Sequence, residues 1–280
     1  MAPIGAAVLL PHMEILRDWL FDTQRPIEIQ DFVVPNLGDP ADLITRWRAM
    51  LDGHTGPRGI HGPFFGIDLS NPDREIRAVL TRRLVQGVEI AVRLEADLMV
   101  IHSPFTFWHR LNYVNYGQLR AGMMEACAEC LAPVLERASA AGVTLALENI
   151  DDTDPADRAD LVAMINHPRL GLSVDTGHAD LAHGNYGAPP VVDVLTLAGA
   201  RLVHVHLQDV DGHADRHWHP GDGRIPWQPV IDTLAALPAT PRLLLEVRNN
   251  LHRLPETAAW LEGLGGERKC GAKMAHSSCL

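Results

Sequence analysis

The chain has 280 residues, with 24 Lys and Arg against 35 Asp and Glu, a formal charge of −11. Hydrophobic residues make up 46% and charged residues 21%, a globular balance that excludes a wholly disordered chain. No apolar run approaches the ~20 residues of a membrane-spanning helix, and the acidic balance weighs against a broad nucleic-acid-binding surface, which needs clustered Lys and Arg.

In chain order, β-branched and apolar runs alternate with helical patterns. Residues 4–10 read as a first strand and not as an export signal, because no basic segment precedes them. A helix is expected over 13–21, a second strand over 26–34 and a helix over 40–51. A third strand ends in Arg58-Gly-Ile-His-Gly-Pro-Phe, before a long helix over 72–94. The fourth strand, 98–104, precedes a helix over 116–141 that contains Cys127-x-x-Cys130. That pair reads as helix-core thiols in preference to a redox or zinc site, and the four cysteines suit a reducing cytoplasm. Strands over 143–149, 170–176, 202–207 and 242–247 follow, with helices over 157–165, 191–198, 229–237 and 255–264.

Eight strand–helix units predict a single closed (β/α)8 barrel over residues 1–264. An open doubly wound sheet usually carries a Gly-rich phosphate turn after its first strand, and Leu10-Pro-His-Met is not one. Residues 265–280 lose all periodicity and read as a mobile tail.

In a parallel barrel the strand C-termini share one rim, where active sites form. His61, His102, Glu148, Asp175, His178, His206 and Glu246 each close or just follow an apolar run, so all seven are expected there. Carboxylates crowded in a buried place repel unless they are paired or metal-bound. Mixed His and carboxylate donors suit a borderline divalent ion and disfavour calcium. The expected cofactor is therefore Mn, Zn, Co or Mg, with no organic cofactor. Phe64, Phe65, Phe105, Phe107, Trp108 and Trp218 fall in strand-end loops and could form an apolar wall. Phe65, Trp108, Arg216 and Arg248 are the expected substrate contacts.

Leu147-Glu-Asn, Val174-Asp-Thr-Gly-His, His204-Val-His-Leu-Gln-Asp and Leu245-Glu-Val, in this order, resemble the xylose isomerase-like TIM-barrel superfamily. It holds the sugar phosphate isomerases and epimerases and the endonuclease IV (AP endonuclease family 2) branch. The resemblance covers roughly residues 4–264. It implies one core metal site of Glu148, Asp175, His206 and Glu246, with His178 as a substrate-binding or supporting neighbour. His204 is expected on the opposite side of its strand from His206, as barrel packing or as a residue supporting the ligands, and not as a ligand. His61, His102 and the Asp215-Arg-His217 stretch also look like endonuclease IV motifs. With His178 they complete a nine-residue set of the kind that holds three zinc ions in that enzyme.

Two activities follow from the resemblance. The favoured one is a metal-dependent sugar isomerase or epimerase, in which Glu148 and Glu246 exchange protons with the substrate through an enediolate. The alternative is a zinc phosphodiesterase of the endonuclease IV type. The net charge opposes it, as do rim loops read as short and a dispersed set of arginines (Arg58, Arg110, Arg216, Arg224 and Arg248). One family feature is missing: ketose epimerases carry an arginine six residues after the metal histidine, where this chain has Gly212. The expected partner is a small sugar or sugar derivative, with no nucleic acid, no membrane and a homo-oligomer as the assembly.

Overall fold

β1 (Gly5–Val8) pairs in parallel with β2 (Ile27–Ile29) on one side and with β8 (Arg242–Leu245) on the other, which closes the sheet. Between them β3 (Arg58–His61), β4 (Leu98–His102), β5 (Thr144–Glu148), β6 (Leu170–Asp175) and β7 (Leu202–Leu207) follow in sequence order. The structure is a computed structural model and describes residues 2–274. The expected (β/α)8 barrel is the observed architecture.

The strands are buried almost throughout, as parallel strands covered on both faces must be, and this is why they read as continuous apolar runs. Alternation still sorts each strand. On β4, Met99 and Ile101 join the main core under the helices, while Leu98 and Val100 pack with Ala146 in a small separate cluster. His102 continues the second set and so emerges at the C-terminal rim.

The helices are α1 (Met13–Asp22), α2 (Ala41–Met50), α3 (Arg74–Arg93), α4 (Phe107–Asn112), α5 (Leu119–Ala141), α6 (Pro155–Ile165), α7 (Thr176–Tyr186), α8 (Val191–Ala198), α9 (Trp227–Ala236) and α10 (Leu254–Met274). Two of them, α4 and α7, were not expected from periodicity. Both sit on the rim and begin at side-chain caps: Thr106 accepts from the His109 amide, and Asp175 accepts from the His178 amide. The rim loops are not uniformly short either, since residues 208–226 separate β7 from α9.

Cys127 and Cys130 are free and buried on α5, where burial pushes both thiols up. α10 runs to Met274, so residues 265–274 are helical where the lost periodicity suggested a tail; 275–280 lie outside the described residues. Among the described residues, no helix is long and apolar enough to cross a membrane.

Candidate metal centre

Four strand ends deliver the core of the site. Glu148 ends β5, Asp175 ends β6, His206 lies near the end of β7, and Glu246 follows β8. One donor atom from each lies within 4.8 Å of the other three. All four are buried. His206 Nδ1 stands 2.5 Å from Glu148 Oε1 and 3.2 Å from Glu246 Oε2. Asp175 Oδ1 accepts from the His178 amide at 2.7 Å and from Gln208 Nε2 at 3.1 Å. Its Oδ2 is buried with no hydrogen-bond partner among the described residues. Burial, opposed by His178 but reinforced by Glu148 and Glu246, pushes the Asp175 carboxyl up to about 6. An orphaned oxygen among three crowded carboxylates is a site short of positive charge, and carboxylate oxygens with one imidazole are donors that a borderline divalent ion accepts. The residues present therefore fit the cation.

The backbone beneath is pinned. Arg158, buried on α6, donates from Nη1 to the carbonyls of Leu147 and Ser173, on the strands that lead to Glu148 and Asp175. Its Nε donates to Asp152 at 2.6 Å. Asn149 and the Asp175 backbone exchange two hydrogen bonds, of 3.0 and 2.9 Å. Gln208 bridges Asp175 and Asp215, and it fits under α7 because residue 177 is glycine. A Cβ there would lie 2.3 Å from the Gln208 amide. Gln30 Nε2 and Arg248 Nη2 both donate to Glu246 Oε1, at 2.5 and 3.0 Å.

Two further donor groups flank the core. His61 Nε2 and His102 Nε2 are 3.2 Å apart, and Glu148 Oε2 stands 3.7 Å from each. Burial and the neighbouring His61 push His102 down to about 3, so it stays a neutral donor. On the other flank, Asp215 Oδ2 lies 3.3 Å from His178 Nε2 and 3.0 Å from His217 Nε2. Burial alone would lower His178, but Asp175 and Asp215 outweigh it and raise it well above the usual value. His217 holds a left-handed φ of +49°, a strain on the order of 1–3 kcal/mol for a non-glycine residue.

All nine polar residues singled out in the sequence thus gather at one mouth, where seven of them line a cavity of about 420 Å³ and Asp175 and His206 are buried outside its lining. The aromatic and basic candidates divide. Phe64 and Arg248 line the cavity, whereas Phe65, Trp108, Arg216 and Trp218 do not. Phe105 is buried, and Phe107 stacks on Tyr186. Arg58 sits at the start of β3, the opposite end of the barrel, where it pairs with Glu95. Arg110, Arg216 and Arg224 are held by Asp154, Asp211 and Asp180.

Sequence reasoning missed Glu28 and Gln30 on and after β2, and it misplaced His204. Residues two apart on a strand share a face. His204 therefore turns inward with His206, and both imidazoles meet the buried Glu28 carboxylate, at 3.1 and 2.9 Å.

The comparisons agree with this architecture. The D-psicose 3-epimerase of Ruminiclostridium cellulolyticum is 25% identical over 196 residues, 66% of this chain and 61% of its own. The fructoselysine 3-epimerase of Escherichia coli O157:H7 is 30% identical over 160 residues, 55% of this chain and 54% of its own. Among solved structures, the TTHB071 protein of Thermus thermophilus, soaked with zinc chloride, superposes with a TM-score of 0.73 at 28% identity. That superposition covers 95% of this chain and 98% of the other. The matches span 61–64% of the length of the first curated relatives. The family described as xylose isomerase-like TIM barrel matches residues 25–264, and the chain belongs to it.

Proposed function

We propose that the chain is a divalent-metal-dependent isomerase or epimerase of a small sugar or sugar derivative, with Glu148, Asp175, His206 and Glu246 holding the cation. The observation that carries this reading is the convergence of those four buried donors, one of them with an orphaned oxygen and two of them, Glu148 and Glu246, lining a cavity of about 420 Å³. When bound, a divalent ion supplies Lewis-acid polarisation of a substrate carbonyl, which acidifies the adjacent C–H. The 3-epimerases among the relatives support a substrate of that class, and the zinc-soaked neighbour supports a metal-binding site.

The chain's own groups then have distinct tasks. Glu148 and Glu246 reach the floor from β5 and β8. One carboxylate takes the proton from the carbon next to the carbonyl, leaving an enediolate, and the other returns a proton to the opposite face. Gln30 and Arg248 hold Glu246 Oε1 and fix that carboxylate, while His206 and His217, with Arg248 behind them, hold it below the usual carboxylate range against burial and Glu148. His178 and His217, held between Asp215 and the carbonyls of Asn149 and Glu246, line the cavity and bring positive charge to its wall. Phe64, stacked on His102 at 4.8 Å, walls one side and excludes water. Three carboxylates facing one divalent ion leave a single surplus negative charge, suited to a neutral substrate that must lose a proton.

A second reading, the zinc phosphodiesterase, is favoured by one observation: the His61–His102 pair and the His178–Asp215–His217 group flank the core as additional donor sets. The neutralised rim arginines oppose it, because they leave little free positive charge to meet a polyanion. Incubation of the manganese- or cobalt-loaded protein with a ketose panel in deuterated water tests the choice. The isomerase reading expects deuterium at a carbon beside the carbonyl. Cleavage of an abasic-site duplex without any such exchange overturns it.

A further inference from the structure

We infer that Glu28 is the positioning residue of the metal centre: its buried carboxylate accepts from His206 Nε2 and lies beside His204, so that His206 presents Nδ1 to the cation. The inference rests on the metal-binding reading above but not on which reaction the site performs.

Glu28 lies in the middle of β2 and is fully buried. Its register neighbours are Ala7 on β1 and Gly59 on β3, residues too small to fill the space beside its side chain. The side chain crosses the barrel interior to β7. Oε1 accepts from His206 Nε2 at 2.9 Å, and Oε2 stands 3.1 Å from His204 Nε2. The two rings are nearly perpendicular, at 89° with centroids 4.5 Å apart, so one planar carboxylate meets the ring edges of both. Behind them, His204 Nδ1 is 2.8 Å from Ser173 Oγ, on the strand that carries Asp175.

The chemistry follows from the two ring nitrogens. A neutral imidazole has one N–H and one lone pair, and the hydrogen bond at one nitrogen decides which is which. Glu28 accepts and cannot donate, so it selects the Nε2–H form of His206. Nδ1 faces Glu148 and Glu246, acceptors as well, and shares a hydrogen bond with Glu148 Oε1 at 2.5 Å. A cation that displaces the proton there meets the Nδ1 lone pair, while Glu28 keeps the remaining proton on Nε2. A carboxylate and two histidines buried in a barrel interior are costly, and an apolar trio of similar volume would fill the space without that cost. Orientation of a metal ligand is what the arrangement supplies in return.

The test uses the full chain, stripped of metal and titrated with cobalt(II), whose visible absorption reports its ligand field. Glu28→Gln keeps one oxygen for the His206 Nε2–H and removes the charge; Glu28→Leu removes both. We expect cobalt affinity to fall about tenfold in Glu28→Gln and about a hundredfold in Glu28→Leu, with altered absorption bands. Affinity and bands equal to the parent protein's in both variants overturn the inference. If the leucine variant does not fold, nitrogen-15 histidine spectra of the unsubstituted, zinc-loaded protein decide. A proton on His206 Nε2 with zinc on Nδ1 supports the inference, and zinc on Nε2 overturns it. Neither readout uses turnover. Absent sugar exchange with these results intact would count against the reaction and leave the role of Glu28 standing.

Discussion

The two ends of the barrel use the same residue types in opposite ways. At the N-terminal end, charges are matched in pairs. Arg25 meets Glu262 at 2.6 Å, Arg58 meets Glu95 at 2.9 Å, and Arg242 meets Asp97 at 2.7 Å. The spare N–H groups cap strand-end carbonyls: Arg25 donates to Ile4 and Arg242 to Arg58. At the C-terminal end three carboxylates crowd one imidazole, and one carboxylate oxygen has no partner. At the first end every one of these charges has an opposite partner, although Arg25 Nε is itself buried without a hydrogen bond. The second has a carboxylate surplus that the proposed cation would offset, and this difference, more than the presence of histidines, is what points to the functional end.

The largest effect is expected where the unmatched charge is removed. Glu148→Gln should release the cation and lower turnover by about a hundredfold or more, seen together by elemental analysis and steady-state kinetics. Full metal content with normal turnover would show that the carboxylate surplus has no such role.

Next comes the clamp between two of the core strands. Arg158→Met frees the Leu147 and Ser173 carbonyls and leaves buried Asp152 without its partner. Loss of one partner from a buried pair costs about 3–5 kcal/mol, which should appear as a large drop in thermal midpoint. A midpoint close to the parent's would mean that the strand ends are held by other contacts.

A graded effect is expected from pH. Burial and the neighbouring carboxylates push Asp175 up to about 6 from an ordinary 3.8. The metal-free protein therefore carries a proton there at low pH, which a cation must displace. Metal affinity should rise as pH increases through about 6. The stability linkage has the opposite sign. A raised carboxyl stabilises the metal-free fold fully below its unfolded value, and that contribution is lost between about pH 4 and 6. Addition of a divalent ion at pH 7 should restore it. Calorimetric titrations and melts at stepped pH check both directions.

The smallest effect belongs to the matched end. Asp97→Asn breaks the pair with Arg242, but the Asp97 side chain is 64% exposed. An exposed pair contributes about 0–1 kcal/mol, so the melting curve should barely move and metal affinity should not change. A loss of affinity there would erase the distinction between the two ends.

Much of this was readable from the chain because parallel strands covered on both faces give unbroken apolar runs, so their polar last residues stand out. His102, Glu148, Asp175 and His206 are found that way. The rest depends on contacts that periodicity does not carry. α7 reads Thr176-Gly-His-Ala-Asp-Leu-Ala-His-Gly-Asn-Tyr, with two glycines and no clear apolar stripe, and its start is set by the Asp175 cap. α4 has six residues, too few for a helical repeat. α10 continues beyond its last apolar repeat, so its end was placed too early. Glu28 lies between Ile27 and Ile29, where apolar alternation alone does not distinguish a buried carboxylate from an exposed one. A signal was present, since a carboxylate inside a strand covered on both faces needs a buried partner. His204 and His206, which share a face, were the candidates.

The most direct measurement of the central claim is calorimetric titration of manganese(II) into the metal-stripped protein, with the Asp175→Asn variant beside it. The account predicts one tight ion per chain in the parent and affinity lower by at least about tenfold in the variant. Absence of binding in the parent, or equal binding in Asp175→Asn, would contradict it.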